Sequence, residues 1–200
     1  VATLGAAVAA GTGGDAAGAE KWLQKANADH PQSNEVKLAM AQFYVGRRDF
    51  AKARAIVDEA AKAMPGDASI SNMRGMVLMG DGDMPGAIAS FKEAVKQAPK
   101  ATAFTMNLAR AHLVDKDLGS ALEVLHGLMK SEPKYTPALA LAAAACLRAG
   151  EVEKAAGYVE RLRQAEPDAP GTLRFEGDLA MAQKRHRDAW QAYRKANDKA

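Results

Sequence analysis

The sequence has few of the residues that mark disulfide-rich, zinc-binding or membrane proteins. Its one cysteine, Cys146, excludes an internal disulfide framework and a multi-cysteine zinc site. No stretch of 18 uncharged apolar residues occurs, so the sequence predicts no transmembrane helix. The 27 basic and 24 acidic side chains give a formal net charge of +3. A charge this close to balance gives no reason to expect nucleic acid or an anionic membrane as a partner.

Aromatic residues make up only 6% of the chain, against 48% apolar and 26% charged residues. This composition is that of an alanine-rich globular chain and excludes a disordered or collagen-like one. The chain begins at Val1, and residues 1–10 are apolar without a basic leader. We therefore expect a buried helix there rather than a signal-peptide core, in a chain that is a piece of a longer protein.

Four columns of residues recur every 34 positions without insertion or deletion, which indicates an internal repeat. The first column is proline, at Pro31, Pro65, Pro99, Pro133 and Pro167. The second is alanine, at Ala19, Ala53, Ala87, Ala121, Ala155 and Ala189. The third is a small residue, at Ala7, Ala41, Gly75, Ala109, Ala143 and Gly177. The fourth is a bulky apolar residue, at Leu23, Val57, Phe91, Leu125, Val159 and Tyr193.

Each period predicts two helices separated by a short turn. Helical spacing of apolar residues covers 36–45 and again about 50–64. The turn between them is often Gly-Asp, as at Gly82-Asp83, or Gly-Glu at Gly150-Glu151. Glycine suits the left-handed residue that ends the first helix, and the acidic residue caps or complements the positive start of the second. Asp81-Gly82-Asp83 is therefore interpreted as a turn rather than a calcium loop, which would need a glutamate at a fixed later position.

A 34-residue helix–turn–helix unit with these columns resembles the tetratricopeptide repeat family. The resemblance implies an all-α fold, a right-handed superhelical solenoid of antiparallel helix pairs, forming a single domain over 1–200. The expected units are approximately 1–33, 34–67, 68–101, 102–135, 136–169 and 170–200. The units depart from the family pattern, because the frequent first-helix tryptophan position holds Lys37, Ser71, Thr105, Leu139 and Leu173.

The resemblance also implies a concave groove lined by the first helix of each pair, where we predict a peptide or protein segment to bind. The predicted groove residues are Leu38, Gln42, Val45, Asn72, Met76, Met79, Met106, Arg110, Leu113, Arg148, Arg174 and Asp178, with Ala144, Leu147 and Met181 beside them. The groove is rich in methionine, which adapts to varied apolar partners, and has arginines toward its C-terminal half. A peptide with apolar anchors and an acidic flank would suit it.

For each group of residues that could bind a metal or take part in catalysis, we favour a structural role. His112 with Asp115 and Asp117 is the best metal or acid–base set, but we interpret it as a solvated turn. Cys146 is interpreted as a buried inert thiol, since no group that would lower its pKa is evident. Met73, Met76 and Met79 are assigned to packing rather than to a soft-metal site. We therefore predict no catalytic residues, no metal and no cofactor.

The main hypothesis is a non-catalytic protein-interaction scaffold. The alternative is an assembly or regulatory segment of a bacterial envelope system, because the alanine-rich units are similar in style to arrays associated with exopolysaccharide export and PEP-CTERM protein sorting. That alternative slightly favours the periplasm or envelope over the cytoplasm. The sequence argues against a chaperone-tail adaptor, since the positions of the family's lysine–asparagine clamp hold Leu4, Val8, Leu38 and Gln42.

Both ends of the array are predicted to be uncovered, because residues 1–10 carry no charge and the last helix carries Trp190 and Tyr193. Either the parent protein continues, or the ends associate between chains. The last helix is also locally basic, and an acidic partner or plain solvent could face it. Its basic residues are Lys184, Arg185, Arg187, Arg194, Lys195 and Lys199.

Overall fold

The computed structural model describes residues 16–199, and every regular element in that range is an α-helix. The helices are α1 (Ala16–Asp29), α2 (Asn34–Gly46), α3 (Phe50–Ala63), α4 (Ala68–Asp81), α5 (Met84–Gln97), α6 (Thr102–Val114), α7 (Leu118–Ser131), α8 (Thr136–Ala149), α9 (Val152–Ala165), α10 (Pro170–Ala182) and α11 (His186–Asp198). None of these helices is long and apolar enough to cross a membrane. The helix predicted at 1–10 and the clamp positions Leu4 and Val8 lie outside the described residues.

The chain forms two compact units, which divide between residues 111 and 112 inside α6. In the first unit α2 packs on α3, α3 on α4, and α4 on α5. In the second unit the same succession links α7 through α11. Short turns join neighbouring helices, so each pair is antiparallel, and α2 also contacts α4 as α8 contacts α10. The predicted all-α solenoid of helix pairs is confirmed as the fold class, while its extent as one domain over 1–200 stays a prediction.

The repeat columns form the core, as their composition predicts. Ala53, Ala87, Ala121, Ala155 and Ala189 are completely buried. In the bulky column, Phe91 and Leu125 are completely buried and Val57 nearly so. Small side chains let the helix axes approach, and the bulky column fills the space that remains. Packing of each pair therefore depends on both columns together.

The turn inside each helix pair has a fixed backbone shape. Residues 48, 82, 116, 150 and 184 are spaced by 34 and all have positive φ, at 61, 93, 63, 75 and 61°. Only Gly82 and Gly150 match the predicted glycine, while Arg48, Lys116 and Lys184 adopt the same left-handed conformation with a side chain. The turn geometry is thus maintained by the packing of the pair and not by glycine alone.

Aspartate caps the second helix of several pairs. Asp49, Asp83 and Asp117 each accept a hydrogen bond from the backbone N–H three residues later, at 3.2, 3.0 and 2.9 Å. Glu151 stands at the same N-cap position, but its side chain makes no capping bond within the described part of the chain, so of the two predicted roles it can only complement the positive helix start. Its longer side chain pairs instead with Lys154 at 3.2 Å.

Candidate functional site

In the first unit, several of the predicted groove residues of α2 and α4 pack against the hydrophobic core. Leu38, Val45 and Met76 are half-buried and pack against the hydrophobic core of this unit. Gln42 is exposed and Met79 is half-buried. Apolar side chains that already pack against the core offer only part of their surface to a ligand.

A polar network continues this surface onto α6. The side-chain amide of Asn107 donates to Oδ1 of Asn72 at 2.9 Å, and Nη1 of Arg110 donates to Oδ1 of Asn107 at 3.3 Å. Asn107 was not predicted as a groove residue. Its neighbour Met106 was, and that prediction is wrong, because Met106 is only 3% exposed and belongs to the core.

In the second unit, three predicted residues line one open cavity of about 440 Å³. Leu113, Arg148 and Asp178 reach it from α6, α8 and α10. Ala144 and Leu147 also line it, together with three residues that were not predicted, Leu141, Ala145 and Phe175. Arg174 is exposed but does not line this cavity, so its place in the predicted groove stays a prediction.

Three of the missed residues share one position of the repeat. Asn107, Leu141 and Phe175 are 34 residues apart and directly follow the predicted column that contains Met106 and Arg174. All three are half-buried, and each contributes to one of these two surfaces. Met106 is buried whereas Arg174 is exposed, so a common rotation of the first helices does not explain both.

Two charged side chains line the cavity of the second unit: Arg148, which is not paired with a carboxylate within the described range, and Asp178, which accepts a hydrogen bond. Arg148 is exposed, and no carboxylate of residues 16–199 is paired with its guanidinium. Arg148 also borders a smaller cavity of about 190 Å³ together with Lys116. On the other side, Asp178 accepts a hydrogen bond from the Tyr193 hydroxyl at 2.7 Å. Burial, and then the hydrogen bond and the charge of Asp178, raise the pKa of Tyr193 to about 12.

This arrangement has the chemistry of a recognition site. Leu113, Leu147 and Phe175 provide apolar contact area, and Arg148 provides a charge-assisted hydrogen-bond donor at the rim. The Asp178 carboxylate is held by Tyr193, whereas the unpaired Arg148 is the group of this cavity that would attract an anion.

The metal or acid–base candidate at His112 is not a solvated turn, and that interpretation is wrong for the histidine. His112 is 7% exposed, and its Nδ1 lies 3.7 Å from Oδ2 of Asp117. His112 occupies a position of the repeat that holds Tyr44 and Cys146 in other units, and both of those residues are buried. Hydrogen bonds from Ser120 lower the pKa of Asp117, and the charge of His112 adds to that effect. Within the described residues, no group of three or more His, Cys, Asp or Glu side chains is placed to hold a metal ion.

The two sulfur candidates are part of the packing. Cys146 is completely buried, and burial raises the pKa of its thiol, so its buried, unactivated state is confirmed. Met73 lies in the core of the first unit, and Met76 packs against that core.

The basic helix α11 is partly neutralised. Arg185 pairs with Asp188 at 2.9 Å, Lys199 pairs with Asp168 at 2.6 Å, and Arg194 lies over the ring of Trp190. The expectation that both aromatic side chains of this helix are uncovered holds for Trp190, which is 59% exposed. Tyr193 is also exposed, at 36%, although its ring packs on Gly177 and its hydroxyl reaches Asp178.

Family models match most of this chain. Models described as tetratricopeptide repeat match residues 12–77 and 115–171, and another with the same description matches 73–128. The chain belongs to the tetratricopeptide repeat family. No curated protein matches it in sequence. Tetratricopeptide repeats generally bind proteins or peptides, and the family and its structural neighbours are generally non-catalytic scaffolds.

Solved structures with the same fold include PilF, PilW and YrrB. PilF of Pseudomonas aeruginosa superposes with a TM-score of 0.72 at 18% identity, covering 96% of this chain and 87% of that one. PilW, described as a widely conserved type IV pilus biogenesis factor, gives a TM-score of 0.76 at 20% identity, with 95% and 88% covered. YrrB, described as a tetratricopeptide repeat protein with an unusual peptide-binding site, gives 0.60 at 15% identity, with 88% and 91% covered. At these identities the likeness is one of fold.

Proposed function

We propose that this protein is a non-catalytic scaffold that binds a peptide or protein segment at the cavity lined by Leu113, Arg148, Phe175 and Asp178. The observation that carries the proposal is the unpaired Arg148 beside an apolar cavity built from three first helices. The ligand that fits has an apolar side chain for the cavity and a carboxylate for Arg148. The network of Asn72, Asn107 and Arg110 in the first unit offers hydrogen bonds to a peptide backbone in the same way.

The test begins with selection of binding peptides from a random phage-displayed library against the 200-residue chain. The selected sequences should combine an apolar residue with a nearby aspartate or glutamate. Arg148→Glu should then weaken a selected peptide at least about tenfold, because the change replaces an attraction with a repulsion.

Arg187→Glu is the matched control, since Arg187 is exposed on α11 and makes the same change in net charge. The account expects Arg187→Glu to leave the affinity within about twofold. Equal losses in both variants would mean that net charge and not this site drives binding. A loss confined to Arg187→Glu would favour docking of an acidic partner on α11.

A second candidate function is assembly of a bacterial envelope system. It is supported by the fold shared with PilF and with the pilus biogenesis factor PilW over nearly the whole chain. A more specific role in polysaccharide export or PEP-CTERM sorting stays a prediction. Fractionation of cells that express the tagged full-length protein tests this candidate: it requires recovery with the envelope, and recovery in the cytosol alone would reject it.

A further inference from the structure

A second groove of about 1000 Å³ lies in the second unit between α7 and α9, the second helices of two consecutive pairs. Leu122 and Tyr158 form its buried floor. Nε2 of His126 and the hydroxyl of Tyr158 are 2.6 Å apart and bridge the two helices. This groove shares no residue with the cavity around Arg148, and its helices belong to the other layer of the pairs.

Two glycines in helix interiors open this groove. Gly127 and Gly157 are exposed, and a Cβ at either position would meet no atom of the described residues within 4 Å. Glycine destabilises a helix interior relative to alanine, so packing gives no reason for it here. The repeat provides an internal comparison, because the position of Gly127 holds Lys25, Glu59, Glu93 and Arg161 in other units. Long side chains at the equivalent places would cover the floor that Gly127 leaves open.

The charges along the groove are separated by sign. Toward the start of both helices lie Glu123 and Glu153, and toward their ends lie Lys130 and Arg161. Lys154 also lies near the start, but it is paired with Glu151 at 3.2 Å. Seven residues separate Glu123 from Lys130, which corresponds to about 10 Å along an α-helix. The groove is therefore negative at one end, apolar in the middle and positive at the other.

We propose that the groove between α7 and α9 is a second binding site, and that it takes a protein segment with an apolar side chain between a basic residue and an acidic residue. In an extended segment, side chains at i, i+2 and i+4 point to one face and span about 13 Å. A basic, an apolar and an acidic residue at those positions match the order of charges and the open floor. The site does not depend on the proposed function of the Arg148 cavity, and either can fail without the other.

The probes are four synthetic peptides with blocked ends. The matching peptide is Lys-Ser-Leu-Ser-Glu, and three control peptides are Lys-Ser-Leu-Ser-Lys, Glu-Ser-Leu-Ser-Glu and Lys-Ser-Gly-Ser-Glu. Each is titrated into the ¹⁵N-labelled 200-residue chain, and the amide signals of Gly119, Gly127 and Gly157 report on the groove. The matching peptide should shift these signals and bind at least about fivefold more tightly than each control.

Variants separate the groove from other surfaces. Gly157→Leu fills the groove and should abolish the shifts, whereas Gly171→Leu, at another exposed helical glycine with open space around it, should not. Lys130→Glu combined with Arg161→Glu should make Lys-Ser-Leu-Ser-Lys the preferred peptide. Absence of shifts at the three glycines, equal binding of all four peptides, or a titration that Gly157→Leu leaves unchanged would each overturn the proposal.

Discussion

The ring of Phe91 occupies the place where a side chain at position 75 would begin. A Cβ built on Gly75 would lie 2.6 Å from Cε1 of Phe91, whose ring is completely buried. Tyr193 lies over Gly177 in the same way. Where the bulky column holds valine, as at Val57 and Val159, the small column holds alanine, at Ala41 and Ala143. The two columns therefore vary together, with glycine opposite an aromatic ring and alanine opposite an aliphatic side chain.

Gly75→Ala should destabilise the fold by about 1–3 kcal/mol, because the added methyl group must displace a buried ring. The matched control is Gly127→Ala, which has open space around it and should stabilise the helix by about 0.5–1 kcal/mol. Urea unfolding followed by circular dichroism measures both. Changes of the same sign in the two variants would show that helix propensity, not the contact with Phe91, decides the result.

Ala87→Leu should cost about 1–3 kcal/mol, since Ala87 is completely buried between packed helices. Ala89 lies on the same helix and is exposed, so Ala89→Leu should change stability by less than about 0.5 kcal/mol. Thermal melts of the two variants provide the comparison. An unchanged melting temperature for Ala87→Leu would contradict close approach of the helices at this column.

Lys184→Gly should stabilise the protein by about 0.5–1 kcal/mol, because Lys184 has a φ of 61° that glycine adopts without a steric penalty. The reverse change, Gly82→Lys, should destabilise it by a similar amount, since Gly82 has a φ of 93° at the same repeat position. Urea unfolding of both variants checks this. If Lys184→Gly does not stabilise the protein and Gly82→Lys does not destabilise it, the entropy that glycine adds to the unfolded state cancels the strain that it relieves in the folded state.

Tyr193 should titrate far above an ordinary tyrosine. Its pKa is raised from 10.0 to about 12, so the folded state holds the phenol proton more tightly than the unfolded state. The stability that this adds is complete below about pH 10 and is lost as the pH rises toward about 12. The difference in phenolate absorbance between the natural chain and Tyr193→Phe should show this late component. Asp178→Asn should lower the pKa only in part, because burial is the larger cause.

The architecture could be predicted from the sequence because the same residue types recur at equivalent positions of successive units. A single alanine or proline says little, but Ala53, Ala87 and Ala121 at one spacing identify a buried contact. The helix pairs, the turn at Gly82 and the cap at Asp83 followed from the same spacing.

The candidate site could be predicted only in part, because a spacing of 34 identifies equivalent positions but not which of them neighbouring helices cover. Leu113, Arg148 and Asp178 line one cavity, with Phe175 and not Arg174 beside them. Their role in a binding groove stays a prediction. The groove between α7 and α9 was not predicted for a different reason. Its signal is the absence of side chains at Gly127 and Gly157, and only the position of Gly127 carries a long side chain in every other described unit.

Site-specific photo-cross-linking shows whether ligands bind at the cavity beside Arg148. A benzophenone amino acid replaces Phe175 in one variant and the exposed Trp190 of α11 in another, and each is irradiated with a peptide selected on the natural chain. We expect a strong cross-link from position 175 that excess unlabelled peptide removes, and none from position 190. A cross-link from position 190 without one from position 175 would contradict binding at this cavity.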